Sequence, residues 1–331
     1  MSARRVVVTG AAGFIGSHLS EALLDGGFEV TGIDAFTSSY AEANKQANVA
    51  GLLGRPGFQL VEGDLSAMDI DPLLAGVDVV FHQAAQAGVR SSWGLDFDVY
   101  VRDNVIGTQR LLEACIRRDV RRLVAASSSS VYGDANDSPQ REERIGRPLS
   151  PYAASKQIAE LAAAGFSRAL GFESVALRYF NVFGPRQDPR GPYAAVVARW
   201  CAALAAGTAP ELEGDGLQTR DFTPVASVVD ANLLAACVAL AEPFTCVNVG
   251  TGRETSLAQL FAGLIELCAE LGLERRELRP RERPARPGDR RASRADLTRA
   301  RACLGFEPPA GIEPGLRATL RELVDSPARA S

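Results

Sequence analysis

The chain has 331 residues, of which 46% are hydrophobic and 23% charged, and a formal net charge of −4. That length holds one large α/β domain with a smaller second one and an ample core. The charge balance excludes the concentrated basic face that nucleic-acid binding requires, and the two Trp and 14 Phe are scattered rather than arranged as a base-stacking ladder.

In chain order, Val6–Thr9 reads as a short β-branched strand ending at Gly10, and Phe14–Leu24 shows helical apolar spacing. Phe28–Ile33 is a second strand that ends in Asp34. Apolar runs at Phe58–Val61, Val77–Phe81, Arg122–Ala126 and Ser174–Leu177 alternate with helical stretches, the longest being Asp96–Arg118 and Pro151–Leu170. Strands alternating with helices predict an α/β fold, a Rossmann-type doubly wound parallel sheet with right-handed crossovers. From about Gly184 the texture becomes less regular, with a polar Pro/Gly-rich loop and a Pro/Arg stretch at Arg279–Arg291. The expected division is a dinucleotide-binding domain over 1–183, with a segment near 222–250 returning to it through a strand at Cys246–Val249. A smaller C-terminal lobe over 184–331 would mainly bind substrate, with the site in the cleft between.

Cys115, Cys201, Cys237, Cys246, Cys268 and Cys303 form no CxxC pair, and His18 and His82 are the only histidines. A zinc site needs clustered ligands, so reduced thiols and no metal are expected. No apolar run approaches the roughly 18 residues of a membrane span. Met1–Arg5 lacks a charged-then-apolar leader pattern, which makes the cytoplasm the expected compartment. Of 36 basic residues only Lys45 and Lys156 are lysine.

Two motifs carry chemistry. Thr9–Gly16 places three glycines between the first strand and the first helix. Gly10 allows the tight turn, Gly13 lets backbone approach a pyrophosphate, Phe14 and Ile15 open the helix, and Gly16 lets helix pack on strand. The helix N-terminus then faces the phosphates. Asp34 closes strand two, 18 residues past Gly16, where its carboxylate would bind the adenosine ribose and repel a 2′-phosphate, favouring NAD over NADP. Asp64 and Leu65 after strand three, and Gln83, Ala84 and Ala85 after strand four, fit the adenosine half of the same cofactor. The second motif is Tyr152 with Lys156, at i and i+4 on one helical face. The lysine ammonium is expected to lower the tyrosine phenol towards working pH and to hold the nicotinamide ribose. The run Ser127–Ser130 ends strand five at the carboxyl edge of the sheet, where Ser127 would border the cofactor and a hydroxyl can relay a proton.

TGxxGxxG, the serine run before Val131-Tyr132-Gly133 and YxxxK, in this order, resemble the extended short-chain dehydrogenase/reductase family. More narrowly, nearly the whole chain is similar to sugar-nucleotide 4-epimerases and dehydratases, through Arg178–Gln187, Gly214–Phe222 and Arg286–Asp289. The resemblance implies Tyr152 as base, Lys156 as its partner and Ser128 as hydroxyl relay, with Asn104, Tyr179 and Val182 near NAD. It implies that Asn181, the backbone at Ala195 and Val196, Arg220, Arg286 and Asp289 hold a nucleoside diphosphate. A diphosphate needs cationic partners, which suits Arg220 and Arg286; Arg90 and Arg186 are further candidates.

Dehydratases of this family place an Asp-Glu pair before the Val-Tyr-Gly turn, and glucuronate decarboxylases a Glu. Ser129 and Ser130 stand there in this chain, which leaves no agent for elimination and points to 4-epimerisation. Hydroxyls of Ser128, Ser129 and Ser130 suit a C6 carboxylate, so UDP-glucuronate ranks first, UDP-glucose second and N-acetylated UDP-sugars third. A lyase on the same fold and a non-catalytic NAD-binding protein are the rivals, and the second would be expected to lack an intact Tyr-Lys pair. The family's Tyr-Val-Asp-Asp is here Pro224-Val225-Ala226-Ser227, and Ser227 with Asp230 is expected to cap the next helix. Homodimerisation through the two long helices around Asn104–Arg118 and Pro151–Leu170 is a further implication of the resemblance.

Overall fold

The computed structural model describes residues 4–37, 42–89, 91–94, 97–135, 137–190, 195–285 and 291–326. Its centre is a parallel seven-stranded sheet of β1 (Arg5–Thr9), β2 (Glu29–Asp34), β3 (Phe58–Glu62), β4 (Val79–His82), β5 (Arg122–Ser128), β6 (Glu173–Tyr179) and β11 (Phe244–Val249). The spatial order is β11-β6-β5-β4-β1-β2-β3. Val6, Val7 and Val8 in the middle of the sheet are shut off from solvent, as expected for a strand covered on both faces. The expected returning strand is present: β11 pairs with β6 from Phe244↔Ser174 to Val249↔Tyr179.

Helices α1 (Phe14–Asp25) and α7 (Val225–Cys237) pack against each other on one face, with α2 (Glu42–Ala50) beside α1. The other face carries α4 (Gly107–Arg117) and α5 (Pro151–Leu170). A second core gathers Trp200, Leu260, Leu264, Leu316 and Leu320. It lies among α6 (Val196–Ala205), α8 (Leu257–Glu270) and α10 (Glu313–Asp325), with α9 (Thr298–Leu304) against β11. Short pairs complete this part: β7 (Val182–Phe183) with β10 (Thr223–Pro224), β9 (Thr219–Arg220) with β12 (Thr255–Ser256), and β8 (Glu211–Glu213) with β13 (Arg281–Arg283). No helix among the described residues is long and apolar enough to cross a membrane.

One expectation is refined and another corrected. The stretch read as helix over Asp96–Arg118 is helical throughout 97–117, but a π turn at Val101–Ile106 separates α3 (Phe97–Tyr100) from α4. The π turn carries Asn104, whose amide is tied to Gln86 on one side and Ser155 on the other; such turns are frequent at functional sites. Ser227 also caps nothing: α7 begins at Val225, with Pro224 in the N-cap position at φ −59° and ψ 139°. An N-cap amide has no partner inside the helix, so proline is tolerated there, and Ser227 is buried within the first turn.

Candidate active site

The carboxyl ends of β1 to β4 open onto a cavity of about 270 Å³. Gly10 is in the left-handed region at φ +71°, and a Cβ there would lie 2.7 Å from the Ala84 nitrogen, so only glycine fits. A Cβ on Gly16 would come 2.0 Å from the Gly10 carbonyl, which is the close helix–strand approach read from the motif. Gly13 is the N-cap of α1 and no side chain caps that end, leaving its first amides for an anion. Gly10, Gly13, Phe14, Asp34, Asp64, Leu65, Gln83, Ala84 and Ala85 all line this cavity.

Asp34 is held more firmly than a strand-end acid alone would be. It accepts from the Ala12 amide at 3.1 Å, the Phe36 amide at 2.9 Å and the Lys45 ammonium at 2.9 Å. Lys45 is buried and lines the same cavity. Sequence reasoning missed it, although one of only two lysines in an arginine-rich chain was a usable signal. The Gln83 side chain is engaged in a ring of hydrogen bonds with Tyr179 and Asn232.

Phe14, Ala87 and Gln187 are shared with a larger cavity of about 640 Å³. Its walls bring together Ile15, Ser127, Ser128, Ser129, Ser130, Tyr152, Tyr179, Asn181, Val182, Ala195, Val196 and Arg220. Arg199 and Gln218 also border it, and the sequence had not singled them out. Arg186 is turned elsewhere, its guanidinium 2.6 Å from Glu21 on α1. Arg90, Arg286 and Asp289 lie outside the described residues. Asn104 lines neither cavity; its amide donates to the Gln86 carbonyl at 3.0 Å and to Ser155 Oγ at 2.9 Å. It therefore ties the loop after β4 to the N-terminal part of α5 rather than facing the cofactor cavity.

Tyr152 sits in that first turn, which Ser150 caps through the Ala153 amide. Its ring meets Tyr100 edge-on at 6.2 Å. Ser128 caps the short turn after β5 by accepting from the Ser130 amide at 3.1 Å and also hydrogen-bonds with Tyr152. The expected lowering of the tyrosine does not occur: burial pushes the phenol up to about 12, opposed by the Ser128 hydrogen bond. Lys156 is itself buried and donates to the Ala126 carbonyl at 3.0 Å. Burial brings its ammonium down to about 8, opposed by Glu160. Desolvation thus outweighs the pairing inferred from i, i+4 spacing: it moves the tyrosine phenol away from working pH and the lysine ammonium towards it.

Among the described residues lining the larger cavity the carboxylates are Glu211 and Glu213, both on β8 and remote in sequence from the serine run. Ser129 and Ser130 occupy the wall next to Tyr152, and Ser130 Oγ is buried without a hydrogen-bond partner.

The chain resembles proteins of known activity over nearly its full length. A UDP-glucose 4-epimerase from Mycolicibacterium smegmatis is 40% identical, with 96% of this chain and 97% of the relative covered. Among solved structures, the UDP-glucuronic acid 4-epimerase of Bacillus cereus, in complex with UDP-glucuronic acid and NAD, has a TM-score of 0.88 at 32% identity. That match covers 97% of this chain and 99% of the other. MoeE5, solved with NAD and either UDP-glucuronic acid or UDP-glucose, is 38% identical with TM-scores of 0.82 and 0.81, over 97% of this chain and 99% of that one. The profile of the NAD dependent epimerase/dehydratase family matches residues 6–250. With its glycine cradle, strand-end acid and Tyr-Lys helix on a seven-stranded parallel sheet, the chain belongs to that family.

Proposed function

We propose that this protein interconverts the C4 epimers of a UDP-sugar. The observation that carries the reading is the cavity wall itself: Ser128 and Tyr152 stand together there, and Ser129 and Ser130 replace the carboxylates an elimination would need. Residues 1–183, with the strand returned by 222–250, would hold the cofactor, and 184–331 mainly the sugar nucleotide. The glycine cradle and Asp34 suit NAD, which when bound supplies a reversible hydride acceptor for the sugar C4. Tyr152 takes the C4 hydroxyl proton, directly or through Ser128, and returns it after the keto sugar has turned. Lys156 as ammonium favours the phenolate during that exchange. Arg220, which lines the larger cavity with Arg199, would meet the diphosphate.

The proposed sugar is UDP-glucuronate, supported by the unmatched Ser130 hydroxyl beside Ser129 and by the complexes of the neighbours. UDP-glucose is the second reading, favoured by the 40% identical relative. The cytoplasm and a homodimer belong to the same proposal. Ile106, Ile158 and Leu161 support the dimer by exposing apolar side chains on the helices named for it. Substrate carrying deuterium at C4 tests the chemistry. The label is expected to stay on C4 in the epimer; its loss to solvent would overturn hydride return.

A further inference from the structure

Beneath the catalytic pair lies a charged cluster that no step above uses. Glu160 stands one turn after Lys156 on α5 and is buried, on the same helical face. Arg178 of β6 grips it twice, Nε to Oε1 at 2.9 Å and Nη2 to Oε2 at 2.7 Å, the bidentate geometry that fixes a carboxylate in place. The Ser127 hydroxyl donates to the same Oε1 at 2.5 Å, and Ser127 immediately precedes Ser128 at the end of β5. Lys156 and Glu160 border one small void of about 20 Å³ together with His82 and Ser127. A buried ion pair is a poor device for stability alone, because desolvation offsets its attraction. This one is placed where β5, β6 and the catalytic helix meet.

We propose that Glu160 is a positioning residue of the reaction: clamped by Arg178 and Ser127, its carboxylate fixes the end of β5 that carries Ser128 and supplies the negative potential that keeps Lys156 an ammonium. The part played in turnover rests on the epimerase reading. Lys156 is faced from β4 by His82, which stays neutral because burial holds it down to about 3. Glu160 is faced from β6 by Arg178. Behind Arg178 stand Tyr132, in the turn after β5, and Cys246 of β11, both kept uncharged by burial. Glu142 accepts from the Asn248 amide further along the cluster. Of these groups Glu160 is the one whose charge acts to hold the proton on Lys156. Neutralising it would also leave the Arg178 cation uncompensated, so both changes drive Lys156 towards the free amine.

Because Lys45 and Lys156 are the only lysines, ¹³C-lysine labelling of the NAD-loaded protein gives two side-chain signals, which Lys45→Arg assigns. In the wild type the Lys156 signal is expected to titrate below the ordinary lysine value, because burial outweighs the pull of Glu160. Glu160→Gln should move that midpoint acid by about one pH unit or more, and Glu160→Asp should fall between the two. In turnover, Glu160→Gln should lower kcat and draw in the alkaline limb of its pH profile, with KM for the sugar nucleotide little changed. An unchanged Lys156 midpoint in folded, NAD-retaining Glu160→Gln overturns the proposal. If that variant does not fold, an unchanged midpoint in Glu160→Asp overturns it instead. The titration needs no sugar nucleotide, so it judges Glu160 even in a protein that epimerises nothing.

Discussion

Replacing the Asp34 carboxylate by an amide changes one atom's identity but takes the carboxylate away from a buried cation. Lys45 and Asp34 have side-chain exposures of 7% and 5%, with Nζ 2.9 Å from Oδ1. Removing one partner of such a pair typically costs about 3–5 kcal/mol, because the remaining charge loses its compensation without regaining water. In Asp34→Asn the amide keeps one acceptor oxygen for the Ala12 and Phe36 amides, which now compete for it. At roughly 2 °C per kcal/mol for a chain of this size, the NAD-free variant should melt about 6–10 °C lower. Adding Lys45→Met to Asp34→Asn removes the ammonium as well and should recover a coupling of at least about 2 kcal/mol. Urea and thermal melts of the wild type, both single variants and the double variant complete the cycle. A single variant within about 1 kcal/mol of wild type, or a coupling near zero, would refute the view that these side chains form one unit.

Tyr152→Phe should cut kcat by about 10²–10⁴, the usual contribution of a positioned acid–base group. NAD should still co-purify, since the ring packing on Tyr100 does not need the hydroxyl; retained turnover would remove Tyr152 from the mechanism. His82 is buried between Thr9 at 2.7 Å and Thr108 at 2.9 Å, and burial lowers it from 6.5 to about 3. Between those values the unfolded chain binds the proton and the folded one does not. His82 therefore subtracts stability as pH falls below about 6.5, at up to about 1.4 kcal/mol per unit, and has no effect above it. Denaturant midpoints at pH 7.5 and 5.5 should diverge less in His82→Gln than in wild type, and equal divergence would count against the buried neutral imidazole.

Much of the fold was legible because its signals are local. The β-branched run before Gly10, the acid ending β2 and the serines ending β5 each lie within one element or its turn. The parallel sheet followed from the alternation of strands and helices. What escaped depends on pairs that the chain brings together only when folded. Lys45 meets Asp34 across the loop between β2 and α2, and Arg178 reaches Glu160 from another strand. Asn104 was assigned to the cofactor by resemblance, yet its amide is consumed by Gln86 and Ser155 in a π turn that periodicity does not reveal. The proton affinity of Tyr152 was misjudged for a related reason: spacing shows which groups share a face, whereas burial, which decides the sign here, is a property of the packed sheet and helices. Pro224 departs from the family pattern and sits at an N-cap, where a missing amide proton removes no bond.

The most direct measurement is incubation of the purified protein with UDP-glucuronate, UDP-glucose and UDP-N-acetylglucosamine in parallel, with products resolved by NMR. One or more should give its C4 epimer at a steady ratio, UDP-glucuronate fastest, with no net reduction of NAD. Formation of a 4-keto-6-deoxy sugar, release of CO₂, or no change in any of the three would contradict 4-epimerisation at the Ser128–Tyr152 site.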